Sequence, residues 1–340
     1  MSISEAIFQK GIFVLSLDVE LRWGTVDKPD ELKKNKRYYE QARDCIEKIL
    51  MLLKEYNISA TWAVVGHLFL EECDSINGQK HSNIPRSTYP WYSKDWFEES
   101  PCTNHKKDPL WYGQDIIQKI INCRVKQEIG CHSFAHIPYG DKNTERATVR
   151  ADLANCICEA EKHDLKLRSF VFPRNDVGYI DELNSFGFKA YRGAEPSWYK
   201  AFPKKIRKAC HMIDQFLAIS PPVSIPEYKQ GLYNIPASMF YLPMNGFRSL
   251  IPLRFRIYKA KKGIRKAIQD KKVFHLWFHP FNIATNQEKL LYGLEEIFKE
   301  VQSKRENGEL ETRSMGELVD LLNETSFSAK FVSKEWWQWK

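Results

Sequence analysis

Short apolar runs alternate with longer helical patterns along most of this chain. The runs are rich in Val, Ile, Leu and Phe, and they predict strands near 12–18, 59–65, 126–131, 168–173, 188–191 and 273–279. Segments with helical periodicity predict helices near 38–56, 114–124, 143–164, 179–186, 256–270, 286–306 and 314–323. Because this alternation is typical of parallel β/α architecture, we expect an α/β fold rather than a hairpin-rich sandwich.

The chain is predicted to form one domain over residues 1–325, because no internal repeat and no low-complexity linker divides it. Two stretches look inserted, near 77–111 and 195–272, and the first is rich in Pro, Ser, Asn and aromatic residues. Long irregular segments in a compact domain usually serve as lids or binding loops. Residues 326–340 are predicted to be a C-terminal tail.

Composition narrows the class of protein further. The chain has 340 residues, 43% of them hydrophobic, and its longest uncharged apolar stretches fall short of the roughly 20 residues of a membrane-spanning helix. The first residues include Glu5 and lack a basic leader, so we expect no secretory signal. The eight cysteines form no C-x-x-C pair, which favours reduced thiols and a cytoplasmic location.

Positive charge is concentrated in one segment. The net charge is +8, and residues 248–272 hold ten Lys or Arg and a single acid, Asp270. A basic segment interleaved with apolar residues suits an anionic substrate or the anionic surface of a membrane, and the alternative is a solvated helix face. No nucleic-acid-binding motif accompanies it, so we expect no nucleic-acid partner and a cytoplasmic protein that is peripheral at the membrane.

Side chains with catalytic potential follow three of the predicted strands. The first strand ends in Asp18 and Glu20, the third is followed by His132 and His136, and the last by His279. In a β/α barrel the carboxyl ends of the strands meet at one face, where catalytic groups lie. The sequence therefore predicts one site built from all three strand ends.

Two imidazoles and a carboxylate can hold a metal ion. His132, His136 and Glu20 form a three-ligand set with open positions, as in hydrolytic zinc sites and in non-haem iron oxygenases. Ser133 occupies the position where an H-E-x-x-H metalloprotease carries its general base, which disfavours that class. Asp18 shares a face with Glu20 on an extended segment and is the candidate base.

Two further residues have candidate roles beside the metal. His279 follows an apolar run and is a candidate general acid, the alternative being an ordinary core histidine. Arg174 also follows an apolar run, where an unpaired guanidinium would be costly, and we expect it to hold Asp18 ionised and oriented.

These residues together resemble the motifs of the polysaccharide deacetylase family, of the chitooligosaccharide deacetylase homology type. The family's second motif, His-Ser/Thr-x-x-His, is matched by residues 132–136. Its first motif, Thr-Phe-Asp-Asp-Gly, is similar to residues 16–20, with Asp18 at the position of the base. Val19 stands where the family has its second Asp, so the resemblance places the metal carboxylate on Glu20, as in branches with an Asp-x-Glu motif.

The remaining motifs extend the resemblance over most of the chain. The third, an Arg near a Pro after a strand, is similar to the segment that contains Arg174 and Asn175, and implies that both line the site. The fifth, a hydrophobic residue two positions before a histidine, implies that Trp277 forms a wall of an acetyl pocket beside His279. Arg192 is the nearest candidate for the fourth motif.

The resemblance implies a distorted (β/α) barrel of about seven strands and a metal-dependent deacetylase. In that mechanism the metal polarises an acetyl carbonyl, Asp18 deprotonates a bound water and His279 protonates the leaving amine. The implied cofactor is a divalent metal, zinc first, with cobalt, nickel or iron as alternatives. The implied substrate is an N-acetylated amino-sugar glycan or its nucleotide-linked or lipid-linked precursor.

Two alternatives remain open from the sequence. Val19 favours a degenerate member of the family that holds a saccharide without hydrolysing it. A hydrolase of another C–N amide bond would use the same residues.

Overall fold

All six predicted strands are present in the structure, a computed structural model that describes residues 7–73 and 75–335, the last ten as backbone. The strands, numbered in chain order, are β1 (Gly11–Val19), β2 (Thr61–Val64), β3 (Ser75–Ile76), β4 (Gln79–Lys80), β5 (Glu128–Cys131), β6 (Ser169–Val171), β7 (Ala190–Gly193), β8 (Glu227–Lys229), β9 (Leu232–Pro236), β10 (Met239–Phe240), β11 (Val273–Phe278) and β12 (Leu310–Arg313).

The helices pack outside the sheet and include one at each predicted position, together with helices at 29–40, 204–216 and 280–283 that were not predicted. They are α1 (Pro29–Glu40), α2 (Ala42–Glu55), α3 (Gln114–Ile121), α4 (Arg146–Glu161), α5 (Ile180–Ser185), α6 (Lys204–Phe216), α7 (Leu253–Asp270), α8 (Pro280–Ile283), α9 (Gln287–Glu306) and α10 (Met315–Glu335). The predicted tail at 326–340 therefore begins inside α10, and residues 336–340 lie outside the described residues. Within the described ranges, none of the helices combines the length and the apolar character needed to cross a bilayer.

The strand β1 is the centre of the sheet. All nine of its residues are buried, which explains why its sequence is almost continuously apolar, as expected for a parallel strand covered on both faces. It pairs in parallel with β11 on one side and with both β2 and β12 on the other. The carboxyl end of β1 therefore opens between the ends of β2 and β11, where the candidate catalytic residues follow.

The sheet is strongly curled. Its order is β10-β11-β1-β2-β5-β6-β7-β9-β8, so four steps separate β1 from β7. Strands in a flat sheet lie about 4.8 Å apart, which would put β1 and β7 roughly 19 Å from each other. Instead, Arg192 on β7 donates to both carboxylate oxygens of Asp18 on β1, at 2.6 and 2.7 Å. This contact across the interior confirms the predicted distorted barrel.

The sheet has more strands than the predicted seven or so. Within the described residues it contains ten strands, and β8 is the one among them that runs antiparallel to its neighbour. The additional strands β8, β9 and β10 lie within residues 195–272, which were predicted to be a loop insertion, and β9 and β10 pair with β7 and β11. They were missed because they are short or mix polar and apolar residues. The first predicted insertion holds little regular structure, chiefly β4 of the β3–β4 hairpin.

Most of the basic segment 248–272 is α7, and part of its charge is turned inward. Arg256 and Lys259 are buried, and Lys259 forms an ion pair with Asp214. Arg265 pairs with Glu300 of α9 at 3.1 Å. These cations stabilise the packing of α7, so an anionic surface would meet only the cations that remain exposed. Contact with a membrane surface stays a prediction.

Candidate active site

Three strand ends bring their polar side chains to one point. The Oε1 atom of Glu20, just after β1, lies 3.0 Å from Nε2 of His132 and 3.2 Å from Nε2 of His136, both after β5. The same oxygen lies 3.3 Å from Nε2 of His279, which follows β11. Glu20, His132 and His136 are all buried. The structure thus brings together residues that lie more than 250 positions apart in the chain.

The backbone orients the first imidazole. Nδ1 of His132 lies 2.7 Å from the carbonyl oxygen of Val171 at the end of β6. Because a carbonyl oxygen only accepts, Nδ1 carries the proton and the lone pair of Nε2 points at Glu20. A carbonyl partner of this kind is the usual device that fixes the tautomer of a metal-binding histidine.

A buried carboxylate from α4 supports the loop between the two histidines. Asp152 accepts hydrogen bonds from the Ser133 hydroxyl at 3.0 Å, from the Phe134 amide at 2.8 Å and from the Tyr139 hydroxyl at 2.7 Å. Ser133 and His136 both have positive φ angles, 63° and 57°. These are costly for residues other than glycine, and the hydrogen bonds to Asp152 offset that cost.

The donor set fits a divalent metal. A carboxylate oxygen and the Nε2 atom of a neutral His132 are both acceptors, so a metal ion bound by both would account for their 3.0 Å approach. Zinc ligands at about 2.0–2.1 Å in a tetrahedral array lie roughly 3.3 Å from one another, close to the separations observed here. Burial lowers the pKa of His136, which keeps its ring neutral and able to bind metal.

Electrostatics keep the carboxylate of this group charged. Burial alone would raise the pKa of Glu20, but the charge of His279 and the close contacts with His136 and His132 hold it well below its ordinary value. An ionised carboxylate with two imidazoles is a donor set for zinc, cobalt, nickel or iron.

The partner of Asp18 is Arg192, and the expectation that Arg174 would pair with Asp18 is wrong. Burial alone would raise the pKa of Asp18, but the guanidinium of Arg192 lowers it below its ordinary value. Arg192 also donates to Ser16 at 3.0 Å and to the side-chain oxygen of Asn175 at 2.9 Å. Asn175 thus helps to orient the arginine that orients Asp18.

Arg174 lies at the rim of the site instead. It follows β6 with a positive φ of 60°, which turns its side chain away from the interior. The guanidinium pairs with Asp27 at 2.6 Å and lies 4.7 Å from the centre of the Trp91 ring. Trp91 belongs to the first predicted insertion and is 45% exposed, so this pair presents a flat surface at the mouth of the site.

Trp277 lies in β11, the strand next to β1, and His279 follows that strand beside Asp18. Nε2 of His279 is 3.7 Å from Oδ2 of Asp18. Burial would lower the pKa of His279, but the carboxylates of Glu20 and Asp18 raise it above its ordinary value. The ring of Trp277 packs 4.4 Å from that of Phe240 and lies 4.2 Å from the Arg192 guanidinium. Trp277 is thus part of the wall beside the acid candidate.

Some residues of the site could not be assigned from the sequence. Asp152 lies in the middle of α4, and the sequence around it matches no motif. The one available signal was its short distance along the chain from the histidine loop that follows β5. Arg192 was named only as a motif candidate, with no partner. A second group of metal-ligating side chains, His67, Cys73 and His81, was missed altogether.

Comparison with solved structures identifies the class of protein that has this fold. A Mycobacterium smegmatis protein assigned as a polysaccharide deacetylase superposes with a TM-score of 0.63, at 13% identity over 96% of this chain and 94% of that one. A Pseudomonas aeruginosa PAO1 protein with the same assignment superposes with a TM-score of 0.57, at 10% identity over 92% of this chain and 91% of that one.

The fold that the resemblance to the polysaccharide deacetylase family implied is the fold of these neighbours. At such low identities they show a shared fold, and the assignment of this chain's own site rests on its geometry. No family model matches the sequence, and no curated protein matches it.

Proposed function

We propose that this protein is a metal-dependent hydrolase that removes an acetyl group, most readily an N-acetyl group, from an amino-sugar-containing glycan or its biosynthetic precursor. One observation carries the proposal: a metal-type donor set, a carboxylate base and an imidazole acid meet at the ends of β1, β5 and β11. Amide hydrolysis needs all three of these functions in one place.

Glu20, His132 and His136 would hold the metal, which supplies Lewis-acid activation of water and of the acetyl carbonyl when it is bound. Asp18 takes the proton of the attacking water. Its two oxygens accept from Arg192, but each carboxylate oxygen has a second lone pair that remains available to water. The lowered pKa keeps this base ionised at neutral pH, as a proton acceptor must be.

His279 donates the proton to the leaving nitrogen. Its raised pKa favours the imidazolium form near neutral pH, and its side chain is 19% exposed, so it can reach a substrate in the mouth of the site. Trp277 and Phe240 form the apolar wall beside it and suit the methyl group of an acetyl substituent. At the rim, Trp91 and Arg174 offer an aromatic face and a guanidinium to a sugar ring and its hydroxyls.

Several observations favour a saccharide substrate and an intact site. The two neighbours with the same fold are assigned as polysaccharide deacetylases. Val19, which replaces the second Asp of the family motif, is a buried core residue at the end of β1, and Glu20 takes its place beside the histidines. Because Glu20 supplies the carboxylate that Val19 lacks, the donor set is intact, which argues against a degenerate binding protein. The cytoplasmic location and the nucleotide or lipid linkage of the sugar stay predictions.

The direct test is acetate release from acetamido sugars, their nucleotide-linked forms and O-acetylated xylan, with zinc, cobalt or nickel added. We expect release by the wild type and a loss of about a thousandfold in Asp18→Asn, since general base catalysis contributes about 10²–10⁴. Asp115→Asn is the matched control, because this carboxylate pairs with Arg43 outside the site. Saccharide binding with no acetate release, or full activity in Asp18→Asn, would contradict the proposal.

A further inference from the structure

A second group of metal-ligating side chains lies outside the candidate active site. His67, Cys73 and His81 each offer a ligand atom, and these atoms lie within 4.8 Å of one another. The Sγ atom of Cys102 is 3.3 Å from that of Cys73. We propose that His67, Cys73, His81 and Cys102 bind a structural zinc ion that anchors the first insertion to the barrel.

A hairpin in the chain brings His81 back beside Cys73. A hairpin of β3 and β4 lies between Cys73 and His81, and its turn at Asn77 and Gly78 has positive φ angles of 51° and 78°. Such an Asn-Gly turn reverses the chain within two residues, so His81 returns beside Cys73. Nε2 of His81 lies 3.2 Å from Sγ of Cys73.

Backbone pairing brings in the second thiol. The amide of Cys73 donates to the carbonyl of Thr103 at 3.0 Å, and Glu72 forms an antiparallel bridge with Asn104. Cys102 therefore lies directly across from Cys73, although 29 residues separate them in the chain. Two cysteines and two histidines are the donors of tetrahedral structural zinc sites.

The imidazole of His67 provides an independent sign that a ligand belongs here. Its Nδ1 lies 3.2 Å from the carbonyl oxygen of Trp111, which fixes the proton on Nδ1 and leaves the Nε2 lone pair exposed to the cluster. Among the described residues this buried Nε2 has no hydrogen-bond partner. A buried acceptor without a partner costs free energy, and zinc would satisfy it.

The surroundings make the site closed rather than catalytic. His81 packs 4.9 Å from the ring of Phe97 and 5.3 Å from that of Phe134, and His67 packs 5.2 Å from Tyr112. All three of these aromatic residues are at most 1% exposed. A four-ligand site packed against aromatic rings is typical of structural zinc.

A zinc ion here would connect the insertion to the loop of the first metal group. The amides of Gly66 and His67 donate to the carbonyls of Ser133 and Phe134, each at 2.8 Å. Phe134 lies between His132 and His136 in the chain. The inferred zinc therefore fixes the segment between Cys73 and Cys102 against the loop that carries both histidines. This inference stands whether or not the protein is a deacetylase.

Cobalt substitution tests the site without an activity assay. The wild type loaded with Co²⁺ is expected to show a thiolate-to-cobalt charge-transfer band, because cysteine ligates here and no cysteine lies in the Glu20 group. The band should persist in His132→Ala and be abolished in Cys73→Ser and in His81→Gln. Cys158→Ser is the matched control, since this cysteine is exposed on α4.

Metal content and thiol count complete the test. We expect about two zinc ions per wild-type chain, and about one in either His132→Ala or Cys73→Ser. Cys102→Ser should weaken zinc binding by at least roughly tenfold, as loss of one ligand requires. After denaturation without reductant, all eight cysteines should react as thiols.

Three results would overturn the inference. One is a wild-type cobalt protein without the thiolate band, which is decisive even if the variants fail to fold. Another is zinc content that is equal in the wild type and in folded Cys73→Ser. The third is a count of six thiols, because it would show a disulfide between two cysteines, and the sulfur atoms of Cys73 and Cys102 lie 3.3 Å apart.

Discussion

The two metal-type groups of this chain use the same imidazole chemistry in opposite settings. The group of Glu20, His132 and His136 adds a carboxylate and borders the polar side chains of Asp18 and His279. The group of His67, Cys73 and His81 adds thiols and is enclosed by aromatic rings. Catalytic zinc sites keep a coordination position open, whereas structural sites close all four.

The groups also differ in the backbone that carries them. The ligands of the first group follow the ends of buried strands, so the sheet fixes their positions before any metal binds. The ligands of the second group come mostly from a segment with little regular structure. We therefore expect metal to bind the first group without changing its fold. In the second group, we expect metal binding to stabilise the fold of the segment that carries the ligands.

The largest expected effect separates the two groups by activity. His132→Ala should lower acetate release by about 10⁴-fold, equivalent to roughly 5 kcal/mol of transition-state stabilisation, because it removes a ligand of the catalytic metal. Cys73→Ser should lower it by less than about tenfold, since its metal does not touch substrate. Steady-state kinetics of both purified variants check this. Equal losses of activity in the two variants would contradict the assignment of one group as catalytic and the other as structural.

The next effect concerns the stability of the open site. Arg192→Met should destabilise the fold by about 3–5 kcal/mol, because it leaves the buried carboxylate of Asp18 without its partner. Arg168→Met is the matched control, because its pair with Asp320 is at the surface, where the two side chains are 33% and 53% exposed, and the expected loss is at most about 1 kcal/mol. Denaturant unfolding of both variants measures the difference. A loss below about 1 kcal/mol for Arg192→Met would show that the ion pair with Asp18 does not stabilise the fold.

The stability of the protein is expected to depend on pH through Asp152, the buried side chain that supports the loop between His132 and His136. Burial raises the pKa of Asp152 to about 6, above its ordinary value of about 3.9. A raised pKa means that the folded state binds the proton more tightly. The associated stability is therefore full below about pH 4 and is lost as the pH rises through about 6, by roughly 2–3 kcal/mol.

The free energy of unfolding of the wild type minus that of Asp152→Asn should fall over this pH range. Equilibrium urea unfolding at a series of pH values provides the measurement. A difference that stays constant from pH 4 to pH 7 would show that this carboxyl group titrates normally.

The smallest expected effect probes the contact between the insertion and the histidine loop. Trp96 donates from its indole to the carbonyl of Ala135 at 2.8 Å, and both residues are buried. Trp96→Phe should cost about 1–2 kcal/mol, since it leaves that carbonyl without its donor. Trp91→Phe removes an exposed indole hydrogen bond to Asp141 and should cost less. Thermal unfolding of both variants compares them, and a larger loss for Trp91→Phe would reverse the assignment.

Much of the fold followed from the sequence, for a physical reason. Buried parallel strands need apolar residues on both faces, so β1 and β11 stand out as continuous apolar runs. The polar residues that end those runs had to lie at one edge of the sheet, which brought Asp18, Glu20 and His279 into one hypothesis.

The rest depended on contacts that no local pattern records. Arg174 follows β6 and Arg192 lies in the neighbouring strand β7, and only the degree of curl decides that Arg192 reaches Asp18. The spacing of Cys73, His81 and Cys102 matches no common zinc motif, because a hairpin and a bridge place them rather than a compact knuckle. The Asn-Gly turn at 77–78 was the available signal.

The bond between Arg192 and Asp18 has an evolutionary consequence. The same carboxylate that is proposed as the base also ties β7 to β1 across the interior of the curled sheet. A lineage that no longer needed the chemistry could not discard either residue alone without leaving a buried charge. In an inactive descendant, positions 18 and 192 should therefore change together, to two apolar residues or to a neutral pair, and a survey of related genes would reveal that paired loss.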